Sequence, residues 1–305
     1  MTTTTTSTRP PDPSPRCGIL AFNTEEEEPG ETISSVISPR SGDVVGIVSG
    51  ERAVTASQPW TAALGSLLAG TEQVQFVCGG SLLSSLSVLT SAHCLDQLGA
   101  NTKVLLGQTD LAKEEGGAQL RDVRASLVHP GWSGSPQHDL AILQLDRPVV
   151  LTHTVRPICL PPSDGQHRPQ QFGVISGWGR TFSGGPATSH LQTGQVEILP
   201  HSDCRHLLPH LAHQDLLCAR GLPTARSQLT TDACQVCQCW PLDNPGNYVE
   251  LQGDSGGPLV TEDDISGLWR LTGVVTAGRG CGDSQNPGLY VSVSHHLDWI
   301  KQNIQ

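Results

Sequence analysis

Gly253-Asp254-Ser255-Gly256-Gly257-Pro258 is the stretch on which the reading of this chain turns. A serine hydroxyl is a poor nucleophile unless it is held beside a base and beside backbone N–H groups that can bind a developing oxyanion. Glycines at 253, 256 and 257 permit a turn that side chains would block. Six specified positions say far more than an ordinary Gly-rich turn. If Ser255 is such a nucleophile, a base and a group to orient it must lie elsewhere. His93 occurs in Leu89-Thr90-Ser91-Ala92-His93-Cys94, after the apolar run from Ser81 to Leu89. Asp139 occurs in His138-Asp139-Leu140-Ala141-Ile142-Leu143-Gln144-Leu145, as the polar residue opening an alternating strand. Alone, His93 or Asp139 reads as a structural or surface residue; the three motifs together read as a site.

These motifs, in the order His, Asp, Ser, resemble the chymotrypsin/trypsin-type serine endopeptidases over about residues 47–305. That family is the type case of the catalytic triad, and the resemblance carries its roles over. Ser255 would attack the scissile carbonyl, His93 would shuttle the proton, and Asp139 would orient the imidazole. The N–H groups of Gly253 and Ser255 would form the oxyanion hole. The implied fold is all-β: two six-stranded antiparallel barrels with a C-terminal helix, the triad lying between them. The implied partners are polypeptide substrates and proteinaceous inhibitors, with no cofactor and no metal. The family's calcium-loop carboxylates read Gln108 and Ala118 here, so no calcium is expected.

Composition agrees with this class. Abundant glycine (33) and proline (22) punctuate short apolar runs, as all-β chains require. A chain of 305 residues can bury a full core, and its net charge of −11 argues against nucleic acid or an anionic membrane as a partner. No apolar run reaches the roughly 20 residues of a spanning helix, so no transmembrane segment is expected. The ten cysteines point to an oxidising compartment and extracellular localisation. By resemblance they pair Cys78 with Cys94, Cys204 with Cys218, Cys234 with Cys281, and Cys17 with Cys159. The family's further bridge is missing at both ends, where the chain reads Gly173 and Thr261. Strand candidates are Val104–Leu106, Val123–Val128, Leu140–Leu145, Gly173–Ser176, Gln195–Leu199 and Leu271–Val275, and Val293–Ile304 has helical spacing.

Residues 1–46 read as a Thr/Pro-rich and acidic linker or propeptide, largely disordered, and residues 47–305 as the protease domain. No signal peptide is visible at the N-terminus, so export requires an upstream start or another route. Ile47-Val48-Ser49-Gly50 resembles the mature N-terminus of the family, where a freed α-amino group pairs with the buried aspartate before the nucleophile. Here that activation pair would be Ile47 with Asp254. Gly46 rather than Arg or Lys precedes Ile47, and the nearest basic residue upstream is Arg40. A trypsin-like activator is therefore not expected to free Ile47.

Asp232-Ala233-Cys234-Gln235 resembles the floor of the S1 pocket, where an aspartate selects Arg or Lys by charge-assisted pairing. Gly278 and Gly288 stand where small residues keep that pocket open, and Thr276-Ala277 replaces the family's Ser-Trp. The family runs directly from this motif into the serine hexapeptide. Here Val236 to Gln252 intervenes, with Cys237, Cys239 and Trp240. Cys234, Cys237 and Cys239 have spacing that can ligate zinc, but an oxidising compartment favours disulfides. Two functions follow: a secreted endopeptidase cleaving after Arg or Lys, or a homologue (or inactive splice form) silenced by the insertion and serving as a binding or adaptor protein.

Overall fold

The computed structural model describes residues 17–20, 51–67, 74–99, 101–162, 171–179, 188–224, 227–230, 254–277 and 287–305. The first half builds β1 (Glu51–Arg52), β2 (Thr61–Leu67), β3 (Val74–Ser84), β4 (Ser87–Thr90), α1 (His93–Leu98), β5 (Thr102–Leu106), β6 (Gln119–Val128) and β7 (Ala141–Leu145). The second builds β8 (Phe172–Gly177), β9 (Gln192–Ile198), α2 (His201–Leu207), β10 (Leu216–Gly221), β11 (Pro223–Thr224), β12 (Ser227–Thr230), β13 (Pro258–Glu262), β14 (Trp269–Ala277), β15 (Gly288–Ser292) and α3 (Leu297–Asn303).

Two closed antiparallel barrels result. One runs β2-β3-β4-β7-β6-β5 and closes through the pairing of β5 with β2. The other runs β9-β10-β15-β14-β13-β8 and closes through β8 with β9. Closure pairs both sides of each barrel strand, so among the described residues neither barrel keeps a long open edge. β1 pairs with Gln192 and Thr193, the end of β9 that β10 does not use.

Every strand proposed from the sequence lies within or overlaps one of these elements, but the burial logic of β7 differs from simple alternation. Ala141, Ile142, Leu143 and Leu145 are all buried. Leu143 and Leu145 pack with Leu64, Leu82 and Val104 inside the first barrel. Leu140 and Ile142 face the other way, into a cluster with Trp60, Val260, Leu271, Val274 and Ile300. A strand buried inside its own barrel on one face and against a second body on the other loses its polar side. Trp60, fully buried in the shared cluster, ties the two halves together; truncating such a residue costs roughly 3–5 kcal/mol. The C-terminal helix is shorter than its periodic stretch. Val293 to His296 forms a turn closed by His296 N–H to the Val293 carbonyl (3.2 Å), and only Leu297 to Asn303 is helical.

The disulfides Cys17–Cys159, Cys78–Cys94 and Cys204–Cys218 are formed. Cys234 and Cys281 lie outside the described residues. Gly173 and Thr261 are neighbours across β8 and β13: a Cβ on Gly173 would lie 3.5 Å from Thr261 Cγ2. The two ends of the absent bridge therefore still face each other. No helix among the described residues is long and apolar enough to cross a membrane.

Candidate active site

β4 ends at Thr90, and the chain turns through Ser91 and Ala92 into α1, which His93 opens. The Cys78–Cys94 bridge pins this start to β3. Asp139 sits two residues before β7, the strand paired with β4, so adjacent strands deliver His93 and Asp139 to the same end of the first barrel. Both are buried, at 8% and 2% exposure. Asp139 Oδ1 accepts the His93 backbone N–H at 2.9 Å, and Oδ2 lies 2.6 Å from His93 Nδ1. A carboxylate only accepts, so the short contact assigns the proton to Nδ1 and leaves Nε2 as the basic nitrogen of the neutral ring.

A third donor reaches the same carboxylate from the second barrel. Thr276, near the end of β14, donates its hydroxyl to Asp139 Oδ2 at 2.5 Å. From the sequence, Thr276 stands out only as half of the Thr276-Ala277 pair that replaces the family's Ser-Trp, and this contact is missed. The signal available to it was a buried-strand hydroxyl in the register of the family's serine, and only the crossing of the two barrels gives that hydroxyl a target.

Ser255 is buried in the turn that leads into β13. Gly257 N–H donates to the Asp254 carbonyl (2.9 Å), and Gly256 N–H to the Val275 carbonyl (2.9 Å). The Ser255 carbonyl accepts the Gly79 N–H at 2.7 Å and lies 3.6 Å from Cys94 Sγ. The latter is a packing contact, since a disulfide sulfur carries no proton. Thus the serine turn rests on β3 and on the residue next to His93. Gly256 is required there twice over: its φ is +76°, and a Cβ would come within 2.2 Å of Thr90 Oγ1 and 2.6 Å of the Gly79 carbonyl.

Asp254, 1% exposed, accepts the Gly179 N–H on Oδ1 at 2.9 Å. A Cβ on Gly177 would sit 2.0 Å from that oxygen, and one on Gly179 would sit 2.6 Å from the carboxyl carbon. Gly177-Trp178-Gly179, where β8 ends, is therefore the cradle of the Asp254 carboxylate.

His93, Asp139, Asp254 and Ser255 are thus gathered at one seam between the barrels. Gly288 lies buried at the start of β15, opposite Ala219. Ile47, Asp232, Gly253, Gly278 and the segment 236–252 lie outside the described residues. In the loop of Gln108, the side-chain amide donates to the carbonyls of Asp110 (2.7 Å) and Lys113. Glu115 accepts the N–H groups of Thr109 (2.8 Å) and Asp110 (3.0 Å).

Comparison with known proteins agrees with this geometry. The trypsin family profile matches residues 47–235 and 243–300, breaking at 236–242, inside the segment read as inserted. Chymotrypsin-C of Mus musculus is 33% identical over 267 residues, covering 85% of this chain and 89% of that protein. Vitamin K-dependent protein C of Oryctolagus cuniculus is 30% identical over 301 residues, 95% of this chain and 59% of that protein. Suppressor of tumorigenicity 14 protein homolog of Bos taurus is 31% identical over 267 residues, 85% of this chain and 28% of that protein. The chain therefore spans only part of the length of the last two relatives. A profile match over most of its residues and a relative matched nearly end to end establish that the chain belongs to the trypsin family of serine proteases.

Proposed function

We propose that the chain is a secreted serine endopeptidase that cleaves peptide bonds after Arg or Lys. The observation that carries the reading is the seam itself: Asp139 fixes the His93 ring through Nδ1 while the Ser255 turn rests on β3 and on Cys94. His93 Nε2 takes the proton of Ser255 Oγ as that oxygen attacks the substrate carbonyl. The same nitrogen then gives the proton to the departing amine, leaving an ester on Ser255. Water repeats the sequence in reverse and frees the acid. Gly253 and Ser255 N–H groups serve as the oxyanion hole, Asp232 with Gly278 and Gly288 as the S1 pocket, and Ile47 with Asp254 as the activation pair. Disulfides and the secreted family pattern support an extracellular location.

A second reading is favoured by one specific observation, the break in the family match at 236–242 just ahead of the serine motif. In it, the inserted segment displaces Gly253, and losing one oxyanion donor costs about 10²–10³ in turnover. The chain would then act as a binding or adaptor protein.

The two are separated by labelling Ser255 with a phosphonate bearing a basic P1 group. The chain is first given a specific protease site over residues 42–46 so that cleavage frees Ile47. Labelling of the cleaved chain with residues 236–252 in place, absent in Ser255→Ala, is the expected result. Labelling only after residues 236–252 are deleted would move the native protein to the second reading. No labelling of either form would overturn the enzyme reading.

A further inference from the structure

Three imidazoles gather beside Asp139. His129 sits in the turn after β6, where Trp132 N–H donates to its carbonyl at 3.0 Å. His138 directly precedes Asp139 and holds a φ of +55°, uncommon for a residue with a side chain. His296 precedes α3 and is 4% exposed. One ring nitrogen from each lies within 4.8 Å of those of the other two. The His129 ring stacks on His138 at 5.0 Å and meets His296 edge-on at 4.9 Å. None of these contacts serves the triad, and an apolar core residue would fill the same space without three polar ring edges.

The hydrogen bonds set the protonation of the cluster. His296 Nδ1 lies 2.9 Å from the Ser292 carbonyl, which can only accept, so that nitrogen carries the proton. Nε2 of the neutral ring is then a lone pair, aimed at His138 Nδ1 2.9 Å away. An imidazole whose outer N–H is fixed by a backbone carbonyl and whose other nitrogen points into a cluster is the usual form of a metal-ligating histidine. The buried Asp215 carboxylate accepts the His138 N–H at 2.8 Å and stands 3.7 Å from its Nδ1, adding negative charge beside the rings. His129 and His138 are half-buried, which leaves a path from solvent.

The geometry points to a Zn²⁺ site formed by His129, His138 and His296, coupled to the active site through the peptide of His138. Three imidazoles plus water or a carboxylate make a tetrahedral zinc set. Two ligands at about 2.05 Å from a tetrahedral ion stand roughly 3.3 Å apart, slightly more than the present 2.9 Å. The proton on His138 Nδ1 moves to its Nε2 as the ion enters, so a neutral ring needs no net deprotonation. The His138–His296 spacing then widens, and His138 is joined directly to Asp139, both of whose oxygens hold His93. Zinc is thus expected to slow the chemistry at Ser255. This regulatory arm rests on the proposed endopeptidase reading; the binding arm does not. The expectation of no metal weighs only the Gln108/Ala118 loop and the cysteines; these ligands, at 129, 138 and 296, lack the short spacing of a recognisable motif.

The test titrates Zn²⁺ into the full chain with a competing chromophoric chelator, and Co²⁺ for its visible spectrum. One ion per chain and a tetrahedral Co²⁺ band without a thiolate charge-transfer band are expected. His129→Gln and His296→Gln should each weaken binding at least tenfold while labelling by the phosphonate at the unmodified rate without metal. Stoichiometric zinc should slow that labelling in the parent chain and not in the double variant. A thiolate band, which would place the ion on the cysteines near Cys237, or undiminished binding in the double variant, would overturn the site. Should a variant fail to fold, the Co²⁺ spectrum of the parent decides alone. If the chain does not label even without zinc, the enzyme reading fails while the binding measurement still decides the site.

Discussion

At the scale of single residues, the carboxylate of Asp139 is held from both barrels. Its two oxygens take three donors: the His93 N–H, the His93 ring and the Thr276 hydroxyl. Hydrogen bonds to a charged acceptor contribute about 1.5–3 kcal/mol each. Thr276→Val keeps the shape of the side chain, removes the donor, and leaves a buried carboxylate one bond short. We expect kcat/KM on a basic-P1 peptide to fall about 10- to 100-fold with little change in KM, and Thr276→Ser to restore most of it. Equal activity in the valine variant would show that the two histidine contacts alone suffice. His93, Asp139 and Ser255 were legible in the sequence because their neighbours form dense local motifs. Thr276 and the histidine cluster were not, because nothing in their own segments marks them. Their meaning comes from which strand or turn crosses them, and that is a property of the closed barrels.

At the scale of elements, the strands were legible from short apolar runs, and their burial was less so. β7 reads as alternating yet is buried on both faces, since the second barrel covers what would otherwise be its wet side. Connections hold the converse lesson, for polar side chains do in them what apolar packing does in strands. The turn joining β13 to β14 is organised by one residue. Asp263 Oδ1 accepts the N–H groups of Ile265 (3.1 Å) and Ser266 (2.8 Å) and the Ser266 hydroxyl (2.9 Å). Its Oδ2 accepts Arg270 Nε at 3.1 Å. The Ser266 N–H, foremost among these donors, helps hold the carboxyl down to about 2, from 3.8. A lowered folded-state value means the stabilisation is complete above about 3.8 and disappears as pH falls towards about 2. The site is partly exposed, so the effect is modest. Asp263→Asn should cost less than about 1 kcal/mol at pH 7 by urea titration. The gap between variant and parent should close on acidification through that window. A gap unchanged at pH 2 would mean that shape rather than charge orders the turn.

At the scale of the whole molecule, residues far upstream of the barrels are fastened to them. Cys17 is bonded to Cys159 across a sequence separation of 142. Gly18 N–H donates to the Pro157 carbonyl, and Trp269 N–H donates to the Gly18 carbonyl, each at 2.9 Å. Gly18 has a φ of +64°, and a Cβ there would lie 2.2 Å from the Trp269 carbonyl oxygen, so only glycine fits this close approach. Leu20 packs against the cluster shared by both barrels. With the covalent anchor at 17, the proposed activation cut before Ile47 would sever the chain without releasing its first part. Cleaved protein should run as one species without reductant and as two with it, and Cys17→Ser should release the N-terminal piece directly. The same bridge has two different energetic roles. In the uncut chain it closes a long loop, worth up to about 5 kcal/mol by chain entropy. A cut anywhere between Leu20 and Ile47 opens that loop, and the unfolded-state constraint goes with it. Cys17→Ser should therefore lower Tm markedly in the single-chain form and only slightly in the cleaved form, measured by calorimetry on both. An equal drop in the two forms would mean that the docked residues 17–20, rather than loop closure, carry the stabilisation.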